Sequence, residues 1–554
     1  MSEPARSASH PRLSRRGFLR LGAAGGAAVF TADLKVAAGP PAVATAGRNV
    51  PAFELEELTM AELQARMASG QDTARSLLER YLERIRSLDQ QGPALRQILE
   101  INPDALSTAD ALDAERKAGK LRGPLHGLPI LLKDNIATAD RMTTTAGSLA
   151  LEGCVAPRDA FIVERLRAAG AILLAKTNMS EWANFRSMSS TSGWSARGGL
   201  GRNPYALDRN TSGSSSGSAA ATAASYAAAA IGTETDGSIV SPSNSCGLVG
   251  IKPTLGLVSR TGIVPIAHSQ DTAGPIARTV ADAAALLSAL AGADVRDAAT
   301  RPAARHAVDY TKSLDPKGLQ GARIGVPRER LFGNSVHADR LADEALAVMK
   351  SLGAVIIDPV SLDTPADLWE SELEVLLYEF KADLNAYLGA LGAACRVKTL
   401  ADVIAFNEQH RDREMPFFGQ ELFLQAEKKG PLTSPEYRRA LRRNHELTQR
   451  RGIDAVMKTH RLDALVTPTG APAWLTDLVN GDCSPGGASS IPAVAGYPHI
   501  TVPAGFVQGL PVGLSFFGRA WSEPALIRMA YAYEQATKHR RAPTFSATVN
   551  VNRD

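Results

Sequence analysis

The chain has 554 residues, with 61 Lys and Arg against 57 Asp and Glu, and 44 % hydrophobic residues. This usage excludes a disordered chain, a collagen and a polytopic membrane protein. The net charge of +4 resides in residues 1–46, and the other 508 carry 55 charges of each sign, so no basic footprint remains for nucleic acid or an anionic membrane.

Residues 1–46 read as an export leader. Ser14-Arg15-Arg16-Gly17-Phe18-Leu19 is a twin-arginine stretch, followed by the small, weakly apolar run Leu21 to Phe30. That run is too short to span a membrane. Ala44-Thr45-Ala46 is a candidate cleavage site. The expectation is a protein that folds in the cytosol and works in the periplasm or outside the cell. Thr59-Met60-Ala61-Glu62 predicts a capping box opening a helix that stops near Gly70, and a second helix is expected from Asp72 to Ser87. Strand-like runs follow at Leu128 to Leu132, Ala171 to Leu174, Ile324 to Val326, Ala354 to Ile357, Leu465 to Thr467 and Ile500 to Val502. Their alternation with helical segments predicts an α/β layer structure. Pro302 to Arg461 is more helical and more charged, and the arginines between Glu436 and Arg451 read as a solvated helix face. No linker divides residues 47–554, so a single domain is expected there. Cys154, Cys246, Cys395 and Cys483 form no C-x-x-C spacing, and their pairing is not legible. The ten histidines are scattered, so no zinc site is expected, and no cofactor or metal.

The most unusual composition lies between Asn203 and Thr254. Thr211-Ser212-Gly213-Ser214-Ser215-Ser216-Gly217-Ser218 leads into an Ala-rich helix expected over Ala219 to Ala230. Then come Gly232-Thr233-Glu234-Thr235-Asp236-Gly237-Ser238-Ile239-Val240 and Gly247-Leu248-Val249-Gly250-Ile251-Lys252-Pro253-Thr254. A flexible linker would not be pinned between apolar segments. Gly213 to Gly217 also fits the G-x-S-x-G nucleophile elbow, with His499 or His539 as partner, but a loop-like stretch precedes it where the elbow needs a strand. Ala175 stands where a phosphate loop needs its second glycine.

These residues resemble the amidase signature family, whose Ser/Gly run, Gly-Thr-Asp-x-Gly-Gly-Ser-Ile block and Lys-Pro-Thr ending align without gaps over Asn203 to Thr254. The resemblance extends to Gly127-Leu128-Pro129-Ile130-Leu131-Leu132-Lys133-Asp134-Asn135, Lys176 to Glu181, Asp463 to Pro468 and Leu510 to Leu514. It implies a large mixed, mostly parallel sheet covered by helices, and a Ser–cis-Ser–Lys triad. Lys133 matches the catalytic lysine, Ser214 the serine after a cis peptide bond, and Ser238 the nucleophile. The N–H groups of Thr235, Asp236, Gly237 and Ser238 match the oxyanion hole, with Ser215 expected to support Lys133. Ser212, Ser216, Glu234, Asp236 and Val240 depart from the broad family pattern. Together with Ser192 to Gly198 and Ser269-Gln270-Asp271-Thr272, the departures resemble the bacterial peptide amidases, which convert the C-terminal amide of a peptide to acid and ammonia.

The chemistry is consistent with those residue types. A serine hydroxyl needs a base and donors aimed at the developing oxyanion. A lysine serves as base only when neutral, and the apolar run before Lys133 would lower its pKa by burial. Gly237 lets a backbone N–H approach the substrate. The expected substrate is a peptide amide or another small amide, and the oligomeric state is not encoded. The enzymatic alternatives are a general aliphatic or aryl amidase and a glutamine-hydrolysing amidotransferase subunit. An exported peptide-binding protein is the non-enzymatic one.

Overall fold

The computed structural model describes residues 50–549 except Ala366 and Ala394, so the expected leader lies outside the described residues. Helix Met60–Ala68 starts at the capping box of Thr59 and Glu62, and helix Ala74–Ile85 at a second box on Thr73. The latter buries Leu77, Leu78, Tyr81 and Ile85 on one side. Among the described residues thirteen strands follow in order: β1 (Ile98–Ile101), β2 (Pro129–Lys133), β3 (Ile172–Thr177), β4 (Trp194–Ser195), β5 (Gly199–Leu200), β6 (Ala229–Glu234), β7 (Val249–Lys252), β8 (Thr272–Ala277), β9 (Arg323–Gly325), β10 (Val355–Ile357), β11 (Ala464–Pro468), β12 (His499–Val507) and β13 (Leu510–Phe517). β4 and β5 pair with each other, and the other eleven form one sheet in the order β1-β3-β2-β6-β8-β7-β12-β13-β11-β9-β10.

The expected mixed, helix-covered sheet is present, but its parallel majority is not. Four neighbouring pairs are parallel and six are antiparallel. The reason lies in the centre, where β6, β8, β7, β12, β13 and β11 follow one another without a parallel pair. β12 and β13 form a hairpin whose short connection allows only antiparallel pairing. Val249–Lys252, Thr272–Ala277 and Leu510–Phe517 carry Gly or Pro, which hides them from a strand pattern. The Ala-rich segment is also divided. The helix ends at Ala223, Ser225 turns the chain at φ +57°, and Ala229 to Ile231 pair with Ile130 to Leu132. All of these alanines are buried, and sheet burial overrides their helix propensity.

Two short helices carry the site against the sheet. Helix Ser216–Ala223 lies across β2, β3, β6 and β8, and helix Val240–Ser245 lies on β7, β12 and β13. Small side chains permit this approach: a Cβ on Gly217 would stand 2.3 Å from the Asn178 carbonyl oxygen. Helices Leu368–Ala390, Leu400–Gln409, Glu421–Glu427 and Pro435–His445 pack on one another as a cap. Its apolar interior joins Phe380, Leu384 and Phe423 to Trp182 and Phe185. A disulfide between buried Cys154 and Cys395 fastens the cap to the loop after Leu151. The arginines between Glu436 and Arg451 are exposed, as the solvated-face reading expects. Among the described residues no helix is long and apolar enough to cross a membrane.

Arg540 closes the structure around the site. Its guanidinium pairs with Glu57 and donates to the carbonyls of Ala223, Cys246 and Gly247, at the ends of both site helices. Arg540→Ala leaves Glu57 and these carbonyls without their partner. It should cost about 3 kcal/mol, read as a lowered urea midpoint at pH 7.

Candidate active site

β2 ends on Lys133, β6 supplies Thr233 and Glu234, and the loop before helix Ser216–Ala223 brings Ser214 and Ser215 beside them. Lys133 is fully buried. Its Nζ lies 2.8 Å from Ser214 Oγ, 2.8 Å from Thr233 Oγ1 and 3.2 Å from the Thr233 carbonyl oxygen. Burial pushes its pKa down to about 7, against the upward pull of the Asp271 and Glu234 charges. A neutral amine has two hydrogens and one lone pair. With the Thr233 carbonyl and hydroxyl oxygens taking the hydrogens, the lone pair is left for the Ser214 hydroxyl.

The Gly213–Ser214 peptide bond is cis. Ser215 Oγ donates to the Thr233 carbonyl at 3.0 Å and accepts the Thr233 N–H at 3.2 Å. Its link to Lys133 therefore runs through Thr233 and is not direct. Thr233 and Asn135, whose Nδ2 donates to Thr233 Oγ1 at 2.9 Å, are the lysine's anchors that sequence reasoning missed. Both stand inside the motifs, in Gly232-Thr233 and Lys133-Asp134-Asn135, and that position was the available signal.

Ser238 follows Gly237, whose φ is +77° and whose Cβ would stand 2.9 Å from Ser489 Oγ, so glycine alone fits there. The Ser238 carbonyl accepts the Ser215 N–H at 3.2 Å, holding the two serine loops together. Lys133 and Ser214 are in direct contact, and Ser238 is joined to them through the backbone, with no bond between the two serine hydroxyls among the described residues. No protein acceptor meets the N–H groups of Thr235, Asp236, Gly237 and Ser238 among the described residues. Glu234 secures the turn after Ser238, its Oε2 accepting from the N–H groups of Ile239 at 2.7 Å and Val240 at 3.1 Å. This departure from the family pattern shapes the Ser238 loop directly.

Trp182, Phe185 and Trp194 pack edge-on against Phe423, Phe380 and Phe418. Cys246 is a small buried residue. His499, one partner considered for an elbow serine, is fully buried against Ser515 and pushed down to about 3 by burial. Among the described residues one group could hold a metal ion, His268 with Glu379 and Asp383. His268 Nδ1 lies 2.8 Å from Asp383 and its Nε2 3.4 Å from Glu379, and burial opposes its charge while the two carboxylates raise its pKa. A cavity of about 480 Å³ adjoins the lysine's anchors, with Asn135, Thr233, Thr235, Asp271 and Tyr387 in its wall.

The family model for amidases matches residues 76–527. The chain belongs to the amidase signature family. It is similar to a solved structure of the native peptide amidase from Stenotrophomonas maltophilia, at 52 % identity and a TM-score of 0.84, covering 89 % of this chain and 99 % of that one. A probable amidase of Arabidopsis thaliana is 43 % identical over 501 residues, 89 % of this chain and 93 % of the relative. A glutamyl-tRNA(Gln) amidotransferase subunit of Symbiobacterium thermophilum is 36 % identical over 496 residues, 88 % and 98 % of the two chains. The protein is accordingly a hydrolase of amide C–N bonds.

The role expected of Lys133 requires the neutral amine. The neutral form of Lys133 dominates above pH about 7, so kcat/KM should fall about tenfold per unit below that point in a pH–rate profile. The folded pKa lies below the ordinary 10.5, so the unfolded chain holds the extra proton between the two values. Lys133 thus makes stability rise with pH across that window.

Proposed function

We propose that the protein hydrolyses the C-terminal amide of peptides through an acyl-enzyme on Ser238. The observation that carries this reading is the buried amine of Lys133 held 2.8 Å from Ser214 Oγ. Neutral Lys133 draws the proton of Ser214, which takes that of Ser238 as its oxygen attacks the amide carbon. The oxygen that gains charge meets the unpartnered N–H groups of Thr235 to Ser238. Collapse breaks the C–N bond, the proton returns through Ser214 to the leaving nitrogen, and ammonia departs. Water enters by the same relay, breaks the Ser238 ester and releases the peptide acid. The 52 % identity to the Stenotrophomonas peptide amidase supports the peptide amide as substrate.

Incubation with an amidated dipeptide, the same dipeptide as free acid, an aliphatic amide and glutamine tests the substrate. Ammonia from the amidated dipeptide, with its internal bond intact, is expected. Ammonia from glutamine alone would favour the amidotransferase-like reading that the Symbiobacterium relative brings. Ser238→Ala should lower turnover by roughly three orders of magnitude or more, and Lys133→Ala and Ser214→Ala by several orders.

We further propose that the protein works outside the cytosol. The twin-arginine stretch Ser14 to Leu19 and the Cys154–Cys395 disulfide both support export. Replacing Arg15 and Arg16 by lysine should leave the full-length chain in the cytosolic fraction of the producing cell. Equal amounts outside the cytosol with and without the arginines would overturn this.

A further inference from the structure

The loop from Thr235 to Ser238 is held from outside the motif by a residue of the cap. Glu372 sits in the first turns of helix Leu368–Ala390 and is buried. Its Oε1 accepts from Gln270 Nε2 at 2.9 Å, and the same nitrogen donates to the Thr235 carbonyl at 3.2 Å. The Glu372 carboxyl lies near enough to that of Asp236 for the Asp236 charge to raise its pKa. Asp236 Oδ2 accepts from Ser490 Oγ at 2.7 Å, and Oδ1 is buried with no N–H or hydroxyl group of the protein directed at it among the described residues. Two neighbouring carboxylates repel, and neither forms an ion pair with a Lys, Arg or His among the described residues.

The other charged groups around Glu372 are already engaged. Asp271 accepts from Thr235 Oγ1 and from the N–H groups of Ile266 and Ala267. Further along the same helix Glu379 accepts from Ser269 N–H and Tyr437, and His268 lies between it and Asp383. From the helix packed alongside, Tyr437 turns to Glu379 and Asn444 to Ser371. Asp236 is thus the charge that Glu372 feels. Burial first, and the Asp236 charge second, raise the Glu372 pKa well above the ordinary carboxylate value.

We infer that Glu372 is a positioning residue: by accepting from Gln270, whose same nitrogen donates to the Thr235 carbonyl, it fixes the loop whose N–H groups receive the oxyanion. The inference rests on the amidase reading above. Ionisation of Glu372 beside Asp236 adds repulsion and releases the loop, so activity falls on the alkaline side, separately from the acid limb set by Lys133. Asp236 stands where the family pattern has glycine, and Glu372 meets that change from a distant part of the chain.

The test is a pair of pH profiles of kcat and KM on the amidated dipeptide. Glu372→Gln keeps an acceptor for Gln270 but cannot ionise. It should keep kcat within about threefold at pH 7 and lose the alkaline limb, with the acid limb unmoved. Glu372→Ala should lower kcat about tenfold or more with KM within about threefold. A wild-type profile without an alkaline limb, or a Glu372→Gln limb coincident with the wild type's, overturns the inference while leaving the amidase reading intact. Silence of the wild type toward every amide removes that reading instead.

Discussion

The site depends on a lysine kept from water without a carboxylate to balance it. Lys133 is fully buried at the end of β2, and its contacts are two hydroxyls and a carbonyl. An acidic partner at ion-pair distance would hold the proton on the amine and remove the base. Neutral partners satisfy its hydrogens without stabilising its charge. The surrounding pieces follow from that requirement: Thr233 fills the anchoring directions, Asn135 and Ser215 fix Thr233, and Ser214 is left at the lone pair.

The fold supplies the two distances this arrangement needs. Parallel pairing of β2 with β6 brings Lys133 and Thr233 to the same end of the sheet. The small-residue helix Ser216–Ala223 then lies low enough for Ser214 and Ser215 to reach both. The cap contributes differently. It touches the Thr235–Ser238 loop through Glu372 and Gln270 and encloses the aromatic cluster of Trp182, Phe185 and Phe380. Lys133 and Ser214 thus meet on the sheet, and the Thr235–Ser238 loop is tied to the cap through Gln270.

Much of this was legible in the sequence because the candidate site residues sit in contiguous stretches with strong local constraints. Gly237 must adopt a positive φ, the Ser/Gly/Ala run must pack closely, and the apolar run before Lys133 must be buried. Such requirements leave residue types behind at fixed spacing. Thr233 and Asn135 stood in plain view, but their role is a matter of which hydrogen bond each makes. Glu372 carries no local signature. It lies 102 residues from Gln270, in a stretch that reads from sequence only as helical and charged. The parallel majority expected of the sheet failed for a similar reason, since pairing direction follows from which distant strands meet. β7 and β8 also contain the Gly and Pro that strands usually avoid.

The strand order also bears on how the protein is made. Every strand on one side of the β7–β12 boundary comes from residues 98–277, and every strand on the other from residues 323–517. During synthesis, β7 therefore presents an unpaired edge until residues 499–507 leave the ribosome, a wait of roughly 10–50 s at ordinary elongation rates. A nascent chain halted in that interval already contains Lys133, Ser214 and Ser238. It nevertheless displays a bare ladder of N–H and C=O groups at the middle of its future sheet, so the chaperone demand of this protein should be concentrated late in translation.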